Sequence, residues 1–200
     1  MQLYKLTNSK GNTKNNTHWE VGITHSLEIK RNPRLCSEDV LHAYTSPLLA
    51  TLMNPAHASY INPLCFTVDG EIAISDGTKV GCFSLTVTDT FVLPKVSTTQ
   101  RTAFGILCAL EVCKDKDFAL WALRWLSDED RTVEAAKTAT NDTATYAAYA
   151  AAAYAATAYA ATTYAATTYA AYAATYAATY AAENNIKIDF QKLAEKAMEY

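Results

Sequence analysis

One segment, residues 135–182, constrains the fold more than any other because it is built almost entirely from Ala, Thr and Tyr, with Lys137 and Asp142 as its only charges. Alanine has the highest helix propensity, and a run this long escapes the nucleation cost that makes short helices marginal. The segment therefore predicts helix. A continuous rod would be about 65 to 75 Å long at about 1.5 Å per residue.

The tyrosines of this segment follow two different spacings. In the first part they recur at every fifth position, which drifts around a helix by about 140° per repeat, at Tyr149, Tyr154, Tyr159, Tyr164 and Tyr169. In the second part they recur after three and four positions and line one helical face, at Tyr169, Tyr172, Tyr176 and Tyr180. We call this second set the tyrosine stripe. It predicts an interface for self-association, so we expect a homo-oligomer.

Two alternatives to a rod remain open for the five-residue part. One is a helical hairpin that bends near Thr162-Thr163 or Thr167-Thr168, and the other is a right-handed β-helix with inward tyrosines. Helix is favoured because so few repeats would make fewer than two β-helical coils, which bury too little core. Asn184-Asn185 then ends the segment, and Asp189 is predicted to cap a last amphipathic helix whose apolar face contains Phe190, Leu193, Ala194, Ala197 and Met198.

The first 95 residues show a different pattern, in which short apolar runs are broken by turn residues, as is typical of strands. The predicted strands are 3–6, 19–23, 41–44, 65–68, 71–74, 80–87 and 91–93. Asp69-Gly70 and Asp76-Gly77 predict tight reversals between antiparallel strands. A short helix is predicted from Pro47 to Met53, capped by Ser46 and ended by Asn54-Pro55.

After Pro94 the apolar spacing becomes helical. Ser97 with Gln100 predicts a capping box for a helix that runs to about Cys113, and Ser127 with Asp130 predicts another. The helix between them, 117–126, buries Phe118, Trp121 and Trp125. We expect an α+β fold with four parts: an α/β domain (1–95), a helical region that packs on it (96–134), the Ala/Tyr/Thr helical segment (135–182) and a C-terminal helix (183–200).

Charge and composition exclude several classes of function. A net charge of -3 and a pI near 5.8 argue against sequence-independent nucleic-acid binding, which needs clustered cations. No apolar run predicts a signal peptide or a membrane span, so we expect a cytoplasmic protein that does not associate with membranes. The five cysteines form no Cys-x-x-Cys pair and predict free thiols. We expect no metal and no cofactor.

No catalytic motif is present, and the sequence predicts a binding protein rather than an enzyme. Three loops, at 18–20, 42–47 and 54–60, are rich in histidine, aromatic and polar residues, as ligand-binding loops often are. The alternative is that their aromatic rings fill the core while the histidines satisfy backbone groups. The candidate ligand-binding residues are Trp19, His42, Tyr44, His57, Tyr60 and Glu71.

Several motifs occur in an order that resembles a known group of proteins: Trp19-x-Val21-Gly22-x-Thr24, Leu35-Cys36-Ser37, His42-Ala43-Tyr44-x-x-Pro47, Val68-x-Gly70-Glu71 and Asp76-Gly77-x-Lys79-Val80-Gly81-Cys82. The group is an uncharacterised domain family of bacteriophages and prophages, some of whose members carry Ala-rich C-terminal repeats. The resemblance covers about residues 1–95. It implies a phage accessory protein in the host cytoplasm and brings no established activity.

A looser resemblance concerns the ADP-ribosyltransferases. The strand at Leu3-Tyr4-Lys5, the segment at His42-Ala43-Tyr44 and Glu71 near a strand are similar to the order of elements in that family. The family usually has His or Arg on the first strand to hold its nicotinamide cofactor, and this chain has Lys5 there. The resemblance implies a nucleotide-directed transferase with His42, Tyr44 and Glu71 in its pocket.

The function that we expect from the sequence is therefore binding. In this hypothesis the first domain recognises a host protein or a small nucleotide-like ligand. The Ala/Tyr helices drive self-association, because exposing a long uncharged surface to water is unfavourable. The alternatives are the nucleotide-directed transferase and a structural spacer built on the tyrosine-bearing rod.

Overall fold

The fold is α+β, with a small antiparallel sheet followed by helices. The computed structural model describes residues 1–27, 32–142, 151–152, 155–156 and 163–200. The chain divides into two compact units, Met1–Lys95 and Val96–Tyr200. The first carries the sheet and the second carries helices, and each is described by itself.

The described residues of the first unit form five strands: β1 (Gln2–Thr7), β2 (Thr24–Ser26), β3 (Leu41–Ala43), β4 (Leu64–Ser75) and β5 (Val80–Phe91). Their order is β1-β4-β5-β2, with β3 also paired to β5, and every pairing is antiparallel. A helix, α1 (Pro47–His57), follows β3, and a short 3₁₀ turn spans Lys14–Asn16. The buried apolar cluster of the sheet consists of Leu3, Trp19, Ala43, Phe66, Val68, Val80, Cys82, Leu85 and Val87.

The hairpin between β4 and β5 differs in part from its prediction. The turn at Asp76-Gly77 is confirmed, and Gly77 has a φ of 84°. The turn at Asp69-Gly70 is wrong, because β4 continues through Gly70, which pairs with Leu85. A Cβ on Gly70 would lie 2.6 Å from Leu85 Cδ2. This glycine therefore permits close approach of two bulged strands rather than a reversal.

Two further predictions for this unit are wrong. No strand forms at 19–23, since Gly22 takes a φ of 89° and the extended backbone begins only at Thr24. Helix α1 does not end at Asn54-Pro55 but continues to His57, with the Ala58 N–H donating to Asn54 O. Proline is tolerated there because it lies in the last turn, where little helix remains to be disrupted. The predicted cap at Ser46 is confirmed, since its side chain accepts from the Leu48 and Leu49 amides.

The second unit contains α2 (Thr98–Glu111), α3 (Lys116–Leu126), α4 (Val133–Asp142), α5 (Thr163–Glu183) and α6 (Phe190–Ala197). The capping box of Ser97 and Gln100 is confirmed, as is the cap at Asp189. The predicted box at Ser127 and Asp130 is wrong. The Asp130 carboxylate accepts from the Thr132 amide and hydroxyl instead, so α4 begins later, at Val133.

Helix α5 has two chemically different faces. Most of its alanines are buried, several of them completely, and the helix packs along α2. The contact is close at Gly105 of α2, where a Cβ would lie 2.9 Å from Ala170 Cα. The rings of Tyr169, Tyr172 and Tyr176 are 39 to 44% exposed. Small residues therefore form the packed seam and the tyrosines lie on the outer face.

The rod, hairpin and β-helix alternatives are tested only over part of the segment. Residues 163–183 form one continuous helix, so a bend at Thr167-Thr168 and a β-helix over these residues are both wrong. The predictions for Tyr149, Tyr154 and Tyr159 lie outside the described residues, as does Thr162. Among the helices that the structure describes, none combines the length and apolarity needed to cross a bilayer.

Candidate functional site

The polar side chains that converge in the first unit lie around β3. His42 is the middle residue of this short strand and pairs with Gly81 of β5. Side chains alternate along a strand, so the His42 ring points away from the core face that holds Ala43. On that other side the ring accepts a hydrogen bond from a loop and interacts electrostatically with a hairpin turn and the end of a helix.

The loop contact is made by Cys36, which is exposed and has a φ of 61°. Its backbone N–H donates to His42 Nε2 over 3.0 Å. Because this nitrogen accepts a hydrogen bond, the neutral His42 ring carries its proton on Nδ1. Lys79 completes the arrangement, with its Nζ donating to Cys36 Sγ over 2.9 Å.

The hairpin turn holds Lys79 in place. The carboxylate of Asp76 accepts from the Thr78 amide over 2.8 Å, from the Thr78 hydroxyl over 2.7 Å and from the Lys79 amide over 2.9 Å. These bonds close the turn in which Gly77 takes its positive φ. Lys79 is only 8% exposed. The three bonds to Asp76 fix the turn that directs its ammonium group to the site.

The helix end contributes His57, which packs on Tyr44. The Tyr44 hydroxyl and His57 Nδ1 are hydrogen-bonded over 3.3 Å, and the two rings stack at 5.9 Å. The other ring nitrogen of His57, Nε2, is buried and has no hydrogen-bond partner in the described part of the chain. Tyr60 lies nearby, tied to the helix by hydrogen bonds between its backbone and the Asn54 amide side chain. We call Cys36, His42, Tyr44, His57 and Lys79 the His42 site.

Burial and positive charge keep both histidines neutral. The pKa of His42 is lowered from 6.5 to about 4, first by burial and then by the charges of Lys5 and Lys79. The pKa of His57 is lowered to about 4 by burial and then by Lys79. Asp76 acts in the opposite direction on both rings but does not outweigh these effects. Burial also raises the pKa of the Tyr44 hydroxyl, with further contributions from Asp76 and Tyr60.

Lys5 is the second buried lysine near His42. Its Nζ donates to the His42 carbonyl over 2.6 Å and lies 4.5 Å from the centroid of the Trp19 ring. Burial lowers the pKa of Lys5 to about 8. None of the ion pairs among the described residues includes Lys5 or Lys79, so neither ammonium has a carboxylate within 4.0 Å there.

The structure brings together four of the six predicted ligand-binding residues: His42, Tyr44, His57 and Tyr60. Trp19 lies elsewhere, 1% exposed in the core, with its indole N–H donating to Thr13 Oγ1 over 2.9 Å. Glu71 is exposed on β4, and its carboxylate makes no hydrogen bond or ion pair with the described residues of the His42 site. The predicted set of ligand-binding residues did not include Cys36 and Lys79. Their contact joins residues 43 positions apart and leaves no local pattern in the sequence.

The second unit contains a cleft of about 260 Å³ between α3 and α4. Phe118 and Trp121 contribute an aromatic wall, and Asp117, Arg124 and Asp130 lie at its charged edge. This mixture of both signs of charge offers no strong preference for an anion or a cation. The His42 site is therefore the stronger candidate.

Comparison with protein-family models, with curated proteins and with solved structures finds no match for this chain. Within the described residues, no group of three or more His, Cys, Asp or Glu side chains is arranged to hold a metal ion. The chemistry of the His42 site itself therefore carries the functional argument.

Proposed function

We propose that the first unit binds a small anionic ligand, such as a phosphate-bearing nucleotide, at the His42 site. The observation that carries this proposal is Lys79, a buried ammonium group whose hydrogen-bond partner is a cysteine sulfur. Burying a charge is costly unless an opposite charge compensates it. An anion bound to Lys79 beside the exposed Cys36 would supply that compensation.

The neighbouring groups support an anion rather than a cation. Lys5 adds a second buried positive charge, and both histidines remain neutral because burial first, and the lysine charges second, lower their pKa values. The buried Nε2 of His57 can become a donor when that ring takes up a proton. His42 already uses Nε2 to accept the Cys36 amide, so we expect it to stay neutral. A bound anion would offset the charge of Lys79 and thereby raise the pKa of His57 more than that of His42.

Calorimetric titration with inorganic phosphate and with adenosine monophosphate tests the proposal. Lys79→Gln removes the central charge, and we expect it to weaken binding by about tenfold or more. Lys10→Gln is the matched control, because it removes the same charge from an exposed position. Lys79→Arg keeps the charge and should retain most of the affinity. Equal affinities in the two glutamine variants would contradict the proposal.

Nuclear magnetic resonance of the histidine ring protons provides a second test. Saturating phosphate should raise the titration midpoint of His57, while that of His42 should move less. High salt should weaken the binding, because mobile ions screen the attraction. Equal shifts at His57 and at the exposed His18 would indicate only a general effect of the buffer.

This proposal favours one of the partners expected from the sequence. A small anion accounts for the buried lysines, whereas a host protein would be recognised over a broader surface. It is compatible with a phage-type accessory protein, a role that we retain as a proposal from the resemblance alone. The transferase alternative has less support, because Glu71 does not join His42 and Tyr44.

Self-association through the tyrosine stripe is a second proposal, carried by a separate observation. Tyr172 and Tyr176 are 39% and 44% exposed, and their ring centroids lie 6.3 Å apart on the outer face of α5. Light scattering should show an oligomer that Tyr172→Ser with Tyr176→Ser dissociates. Tyr164→Ser, at a 73% exposed position outside the stripe, is the control and should leave the oligomer intact. A monomeric wild-type protein would overturn this proposal.

A further inference from the structure

We propose that a peroxide oxidant joins Cys36 and Lys79 through a covalent bond between Sγ and Nζ. The two atoms lie 2.9 Å apart and already share a hydrogen bond. Cys36 is exposed, so an oxidant from solvent can reach its sulfur. Lys79 is 8% exposed, and its Nζ is held against this sulfur.

Cys36 differs from the other four cysteines in its surroundings. Cys65, Cys82 and Cys108 are buried, and burial raises the pKa of each of these thiols, which makes them less reactive. Cys113 is half-buried and its thiol donates to the Asp115 carbonyl. Among the five, Cys36 is the exposed cysteine, and a lysine nitrogen lies at hydrogen-bond distance from its sulfur.

The chemistry balances in two steps. First, the Cys36 thiol reacts with one hydrogen peroxide to give a sulfenic acid and one water, so that sulfur is oxidised and peroxide is reduced. Second, Lys79 releases its ammonium proton to solvent and the resulting neutral amine attacks sulfur, forming the S–N bond while hydroxide leaves with a further proton from nitrogen as a second water. Sulfenic acids are known to condense with nitrogen in this way. The product is about 2 Da lighter than the reduced protein.

A second equivalent of peroxide can insert one oxygen into the S–N bond and release one further water. The resulting N–O–S bridge makes the product about 14 Da heavier than the reduced protein. Both products join the same two side chains. Excess thiol should reduce both, because the sulfur has not reached the sulfinic or sulfonic acid level.

The fold holds both partners in position before the reaction. Three hydrogen bonds to Asp76 fix the turn that carries Lys79. The Cys36 amide is bound to His42, and the following Ser37 hydroxyl donates to the Arg34 carbonyl over 2.8 Å. Little ordering is therefore needed to bring the atoms together, which favours reaction within one chain over reaction with another molecule.

The test treats the full-length protein with a small excess of hydrogen peroxide and measures its intact mass and its proteolytic peptides. We expect a crosslinked pair of peptides containing Cys36 and Lys79, with one of the two mass changes above. Cys36→Ser and Lys79→Arg should both abolish this species, since arginine keeps the charge but its guanidinium is a poor nucleophile. Cys113→Ser is the matched control and should form the crosslink as the wild type does.

Stability provides a readout that requires only the native protein. Joining two positions 43 residues apart constrains the unfolded chain, so the crosslinked form should unfold at higher urea concentration than the reduced form. Dithiothreitol should reverse both the mass change and the added stability. Recovery of Cys36 only as a linear sulfinic or sulfonic acid, or only in a disulfide, would overturn the proposal.

Discussion

Replacing Gly105 by alanine tests the packing of α2 against α5. A Cβ at this position would lie 2.9 Å from Ala170 Cα, 3.0 Å from Ala170 O and 3.2 Å from Ala170 Cβ. Ordinary carbon contacts are about 3.5 to 4 Å. The two helices would therefore have to separate by roughly 0.5 to 1 Å, which would also loosen the neighbouring buried alanines.

The expected magnitude is the difference between two opposing effects. Overpacking of a buried contact costs about 1 to 3 kcal/mol. Alanine is the better helix former by about 1 kcal/mol, which offsets part of that cost. Because the two shortest contacts are to Ala170 backbone atoms, which cannot change rotamer, the cost should lie near the upper end of its range. We therefore expect a net loss of about 1 to 2 kcal/mol.

Urea unfolding followed by circular dichroism at a helical wavelength measures this difference, because both helices contribute to the signal. Adding Ala170→Gly to the Gly105→Ala variant is the control. It removes the Ala170 Cβ but leaves the Cα and O that make the closest contacts, so stability should not recover. A Gly105→Ala variant that is more stable than wild type by about 1 kcal/mol would refute the reasoning, since helix propensity alone predicts that gain.

Three further predictions concern pH, the hairpin turn and a helix cap. His42 and His57 have pKa values of about 4 in the fold and 6.5 as the ordinary value, so the unfolded chain takes up their protons first. The stability that they contribute above pH 6.5 should be lost as the pH falls toward 4, by about 1 to 2 kcal/mol each after allowing for solvent screening. Urea unfolding at several pH values measures this loss, and His57→Gln should reduce it. Asp76→Ala should cost about 1 to 3 kcal/mol in unfolding free energy because three donors lose their acceptor, whereas Asp76→Asn keeps the acceptor oxygen and should bind phosphate more tightly in calorimetry because a negative charge is gone. Ser97→Ala should lower the thermal midpoint through a loss of about 1 kcal/mol at the capping box, and an unchanged midpoint would contradict that role.

Local signals in the sequence predicted much of the secondary structure. The capping box at Ser97 and the cap at Asp189 depend on residues three positions apart or fewer, so their geometry is readable from a short stretch. The positive φ at Gly77 follows from the Asp-Gly pair in the same way. By contrast, Gly70 resembled a turn residue but lies within a long strand. Its role depends on Leu85, which is distant in sequence and adjacent in the sheet.

The candidate site shows the same division. His42, Tyr44 and His57 were predicted because histidine and aromatic residues were concentrated in their loops. Their meeting depends on how β3 and the end of α1 are arranged. Lys79 belongs to the hairpin and Cys36 to an irregular loop, and nothing in either segment indicates the other.

For most of the described residues, the sequence by itself determined which parts form helix and which form sheet, because propensity, apolar spacing and capping act over a few neighbouring residues. It also determined that the second half of the Ala/Tyr segment would carry tyrosines on one face and alanines on others. Only the tertiary structure decided that the alanines pack inward on α2 while the tyrosines remain exposed. The tertiary structure alone also placed the buried Lys79 beside the exposed Cys36. The helix packing and this contact both depend on residues far apart in the chain, which local patterns do not encode.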